Sequence, residues 1–142
     1  MTFLEKSNWV VLIVGVPTIL LYAVLVVPQV LSEPITEVSW VEPMILAIVG
    51  FIVANVLGNV AAAASNPREA DRKDQRDQEI DRFGERIGNW LIAAGAIAAL
   101  VLAMAEAEHF WIANAIFLAG ITGALLSSAM KIAAYHGPFQ RW

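Results

Sequence analysis

The chain of 142 residues has no cysteine, so disulfides, thiolate metal sites and cysteine nucleophiles are all excluded. Charge is scarce too: Asp, Glu, Lys and Arg make up 15% of the residues, against about 25% in ordinary soluble domains. Only two histidines occur, His109 and His136. No Gly-rich phosphate loop, nucleophile motif or intramembrane acid pair is present, and this reads as a non-enzyme without cofactor. His109 with Glu106 and Glu108 falls short of the ligand count of a metal site, so no metal is expected.

What is present is apolar. Hydrophobic residues make up 58% of the chain, and the mean hydropathy is +0.64. Four runs are long enough to cross a hydrocarbon core about 30 Å thick, which takes about 20 helical residues. They cover residues 8–27, 43–64, 88–105 and 110–130, and none has a charge at its centre. The first is too long for the h-region of a signal peptide and lacks a small-x-small cleavage site, so it reads as a retained span. The runs do not alternate, which argues against a barrel. The expected architecture is one all-α membrane domain, a bundle of four transmembrane helices.

Orientation follows from the cations. Lys6 precedes the first span; Arg68, Lys73, Arg72, Arg76, Arg82 and Arg86 lie in the connector, residues 65–87; Lys131 and Arg141 follow the fourth span. The other two loops hold only acids, Glu33, Glu37 and Glu42 in one and Glu106 and Glu108 in the other. The positive-inside rule then places both termini and the connector in the cytoplasm. Pro28 and Pro34 are expected to stop the first helix, and Pro43 to delay the second. The short turn after the third span predicts an antiparallel hairpin. Trp9, Trp40, Trp90, Trp111 and Trp142 fall near span ends, as interfacial anchors do.

The connector reads as a cytoplasmic helix. Asn66, Pro67 and Glu69 resemble a capped start, and Glu69 with Lys73 is an i,i+4 pair. Gly84 and Gly88 weaken the helix where it enters the membrane, so it is expected to run into the third span or to hinge onto it. Its acids are Glu69, Asp71, Asp74, Asp77, Glu79, Asp81 and Glu85, so they nearly balance its six cations. That balance speaks against direct nucleic-acid binding and against anionic-lipid binding by charge. Two readings stand: a solvated connector, or a docking surface for a cytoplasmic protein, with Arg72, Lys73, Arg76, Asp77 and Arg82 as the candidate residues.

Small residues recur every four positions at Gly50, Ala54, Gly58 and Ala62 in the second span, and at Gly120, Ala124 and Ser128 in the fourth. Such stripes allow close helix approach, within the bundle or in a homo-oligomer, a dimer being the favoured form. Asn55, Asn59 and Asn114 are amides in apolar surroundings. They are either interhelical hydrogen-bonding groups or the lining of a polar path in a small channel or solute transporter. The fragments Phe51-Ile52-Val53-Ala54-Asn55 and Phe110-Trp111-Ile112-Ala113-Asn114 are similar, but they sit at different depths, which argues against simple duplication.

The run Lys73-Asp74-Gln75-Arg76-Asp77, followed by Ile80-Asp81-Arg82, Gly84 and Arg86-Ile87-Gly88, resembles a motif of uncharacterised bacterial membrane proteins with four predicted spans. Their usual form has Glu where this chain has Gln75. The stretch from Phe110 to Asn114 and the ending near Tyr135 resemble them as well, so the likeness covers about the last half of the chain. It implies a bacterial inner-membrane protein of unassigned activity. It also implies a membrane partner for a regulator, since such proteins are sometimes encoded beside small helix-turn-helix regulators.

Overall fold

The computed structural model describes residues 1–70 and 74–137. Among them every regular element is helical: α1 (Phe3–Ser32), a 3-10 turn (Ile35–Glu37), α2 (Val41–Ser65), the single turn α3 (Pro67–Ala70), α4 (Gln75–Met104) and α5 (His109–His136). Helices α1, α2, α4 and α5 are each long and apolar enough to span a membrane. Their outward faces carry Ile13, Leu20, Val24, Leu46, Leu57 and Ile97, all well exposed. A water-soluble bundle would bury such a surface; hydrocarbon solvates it.

The helix ends follow local chemistry. Thr2 caps α1, its hydroxyl accepting from the Glu5 amide at 3.2 Å. The expected stop at Pro28 does not occur, and α1 runs through both Pro17 and Pro28 to Ser32. A proline removes one amide donor but leaves the helix intact where neighbours hold it, as membrane helices often show. The true stop is Pro34, which drives Glu33 into extended backbone at φ −129° and ψ 155°. Pro43 falls in the first turn of α2, where an amide has no helical partner to lose. At the other turn, the Glu106 and Ala107 amides donate back to Ala103 and Leu102 carbonyls at 3.1 and 2.9 Å. This is a Schellman ending, with Glu106 at φ 55° in the position glycine usually takes.

Helix α4 lies along α5, α5 along α1, and α1 along α2, leaving α2 and α4 on the two flanks. The α4–α5 hairpin is the closest pair. A Cβ on Gly88 would stand 3.0 Å from the Gly123 carbonyl oxygen, and one on Gly95 would overlap Ala119. Helix α4 therefore passes unbroken through Gly84 and Gly88. Of the two expected arrangements, the helix runs into the third span without a hinge: Gly88 brings the α4 and α5 backbones together, and Gly84 makes room for the Lys131 side chain. The connector also divides differently from expectation. One turn forms α3, and residues from Gln75 onward belong to α4 itself. The expected pairings of Glu69 with Asn66 and Lys73 lie outside the described residues, as does Trp142.

At the turn end, Tyr22, Val26, Val38, Met44, Ala47 and Phe110 form an apolar cluster, with Trp40 and Phe117 packed on it. The α1–α2 loop folds over the bundle, and its Ser39 amide donates to Gln29 Oε1 at 3.0 Å. Trp40 meets Phe110 edge-on at 6.2 Å, a geometry favoured by the ring quadrupoles.

Candidate functional site

At the opposite end, where α1 and α4 begin and α5 finishes, polar and charged side chains are buried beside apolar ones. Asp74 caps α4 in a reciprocal capping box, its Oδ1 accepting from the Asp77 amide at 2.7 Å and its own amide donating to Asp77 Oδ2 at 3.3 Å. Asp77 is 5% exposed, and its other carboxylate oxygen accepts from the Tyr135 hydroxyl. One turn on, Asp81 Oδ1 takes the Lys131 ammonium at 2.7 Å. Ile80, between the two acids, is wholly buried; removing such a side chain from water contributes about 1.5–3 kcal/mol.

Helix α1 joins this cluster through Glu5, 7% exposed, whose Oε1 lies 2.9 Å from His136 Nε2. Thr2 stands beside the Tyr135 phenol. Asn8 is buried and donates to the Leu4 carbonyl at 2.8 Å. Lys6 reaches Ser65 Oγ on α2 at 3.2 Å. The cluster thus ties the starts of α1 and α4 to the end of α5 through three pairs, Glu5 with His136, Asp77 with Tyr135 and Asp81 with Lys131. Buried acids demand such partners, because an unpaired charge there costs several kcal/mol. Among the described residues, no three His, Asp or Glu side chains gather to hold a metal ion. Sequence reading missed this cluster. Its signal was the recurrence of Asp77, Ile80, Asp81, Gly84 and Gly88 on one helical face.

The candidate docking residues separate. Arg76 and Arg82 are exposed on α4. Asp77 is turned inward, so its expected place on the docking surface is corrected: its carboxylate is used by the α4 cap and by Tyr135. Arg72 and Lys73 lie outside the described residues.

The three asparagines differ in what they bond. Asn55 and Asn59 donate to carbonyls of their own helix, Phe51 at 2.9 Å and Asn55 at 2.8 Å. Asn114 donates to Phe110 O at 2.8 Å and accepts from the Tyr22 hydroxyl at 2.5 Å, joining α5 to α1. Asn55 Oδ1 is buried without a hydrogen-bond donor.

The small residues also serve different ends. Gly58 faces Val10 of α1. Ser128 is buried, and Ala54, Ala62 and Ala124 are half-buried. At Gly50 and Gly120 a Cβ would meet nothing within 4 Å. Gly50 and Ala54 border an apolar groove of about 350 Å³ between α1 and α2. Gly120 borders one of about 300 Å³ between α2 and α5, with Phe51, Ile52 and Ile116. Searches against protein-family models, curated proteins and solved structures return no match to this chain.

Proposed function

We propose that this chain is a non-enzymatic protein of the bacterial inner membrane that works through helix–helix contacts as a homo-oligomer, with the first turns of α4 as a cytoplasmic docking surface. The observation that carries the reading is the α2–α5 groove. Its rim carries the exposed Ile48, Ile52 and Ile116, Gly120 leaves room on its wall, and α2 rests chiefly on α1. Without a hydrophobic drive in lipid, association depends on close packing, and an open apolar groove edged by glycine suits a second helix. The charge asymmetry of the loops supports a cytoplasmic connector, and the exposed Arg76 supports docking of a protein such as a regulator.

The natural lack of cysteine makes the test clean. Single cysteines at Ile52 or Ile116 should give cross-linked dimers in native membranes, whereas one at Leu100, exposed on α4, should not. Equal cross-linking at all three, or none at either groove position, would overturn the oligomer reading. For orientation, a cysteine at Gln78 should be labelled by an impermeant reagent only after the cells are opened. For docking, Arg76→Glu should abolish recovery of a cytoplasmic partner while leaving insertion unchanged. The transporter reading draws its support from one atom, Asn55 Oδ1, and predicts solute flux through reconstituted liposomes.

A further inference from the structure

Folding sorts the charges on the described turns of α4. Asp77 and Asp81 face inward, one bound by Tyr135 and the other by Lys131. The cations point the other way: Arg76, Arg82 and Arg86 are all exposed. The acids beside them on this part of α4 are Glu85, exposed, and Glu79, half-buried. Asp74, which caps the helix, is exposed as well. What folding leaves on the outside below that cap is a pair of arginines, Arg82 and Arg86, whose neighbouring acids Asp77 and Asp81 are taken up within the bundle.

Arg82, Arg86 and Trp90 follow one another at i,i+4, so they form one line down the helix. Trp90 is 73% exposed. Arg86 is the last charge before residues 87–105, an uncharged run of 19 residues. At 1.5 Å per residue that run covers about 28 Å, close to the thickness of a hydrocarbon core. Arg86 thus falls at the membrane boundary, with Arg82 one turn farther out and Trp90 one turn farther in. A tryptophan at that depth sits at the headgroup level, and arginines beside it meet phosphate, which their planar guanidinium groups bind in a fork.

We propose that the Arg82–Arg86–Trp90 line is a binding surface for the headgroups of anionic phospholipids where α4 meets the bilayer. Arg76 lies about 120° around the helix from Arg82 and is left for other contacts. A cation near an anionic surface is worth about fivefold in local affinity.

The test uses the full chain in nanodiscs holding equal phosphatidylglycerol and phosphatidylcholine, with lipids that stay bound counted by native mass spectrometry. The wild type should retain phosphatidylglycerol over phosphatidylcholine by about fivefold or more, and added salt should weaken the preference. R82Q/R86Q should lose most of it, whereas R76Q should keep it. Circular dichroism and thermal melting of each variant establish that the fold is retained. No preference in the wild type, or an unchanged preference in R82Q/R86Q, would overturn the proposal. So would displacement of the lipid by millimolar inorganic phosphate, which would indicate a free-anion site, or a preference that appears only when a soluble protein partner is present.

Discussion

Lys131 of α5 crosses to Asp81 of α4 with its ammonium 2.7 Å from the carboxylate, and its aliphatic stem lies over Gly84. The missing side chain at Gly84 makes room for the stem, and the stem carries the charge to its partner. The bond thus depends on two positions that are 50 residues apart and on a glycine that makes no polar contact.

Lys131→Met should lower stability by about 1–3 kcal/mol, less than the loss typical of a fully buried pair, because Asp81 keeps some access to water. Lys131→Met with Asp81→Asn should recover part of that loss. A double-mutant cycle read by thermal unfolding in detergent checks the coupling. Additive losses would mean that the two groups do not interact.

The glycines should divide sharply by place. Gly88→Val forces side-chain atoms into the Gly123 backbone and should cost about 1–3 kcal/mol, seen as a lower melting temperature. Gly120→Ala meets open space and should leave the melting temperature of the monomer unchanged. If both behave alike, the close α4–α5 approach is wrong.

Tyr22→Phe removes the donor to Asn114 Oδ1 and retains the ring that packs on Phe117. Interhelical hydrogen bonds in membrane proteins average about 0.6 kcal/mol and reach about 1.7. A loss within that range is expected, and Asn114→Ala made on top of Tyr22→Phe should cost less than Asn114→Ala alone.

Glu106→Gly should stabilise the protein by about 1 kcal/mol. The residue occupies the left-handed region, where a side chain costs about 1–2 kcal/mol and glycine has no Cβ to strain. Glycine's greater freedom in the unfolded chain offsets part of the gain. Thermal unfolding measures the net effect, and a destabilised variant would show that the Glu106 side chain contributes something the turn geometry does not reveal.

The four helices were legible because span length and hydropathy are local properties of the chain. Their ends were less so. Pro28 looked like a stop, yet α1 continues for four more residues before Glu33 gives way ahead of Pro34. A proline weakens a helix locally, and whether the helix breaks depends on what surrounds it. Gly84 and Gly88 looked like a hinge for the same reason: taken alone, glycine signals freedom, but against Lys131 and Gly123 it signals contact.

The sequence by itself determined that this protein has four helices able to cross a membrane and one charged stretch between the second and third. Counting charges in that stretch gave near neutrality, because a count assigns no direction to a side chain. Only the tertiary structure decided that Asp77 and Asp81 turn toward Tyr135 and Lys131 while Arg82 and Arg86 turn away. The physical reason is that helix α5 supplies the partners for the acids, and which face of α4 it covers is settled by close packing at Gly88 and Gly95, which carry no charge themselves.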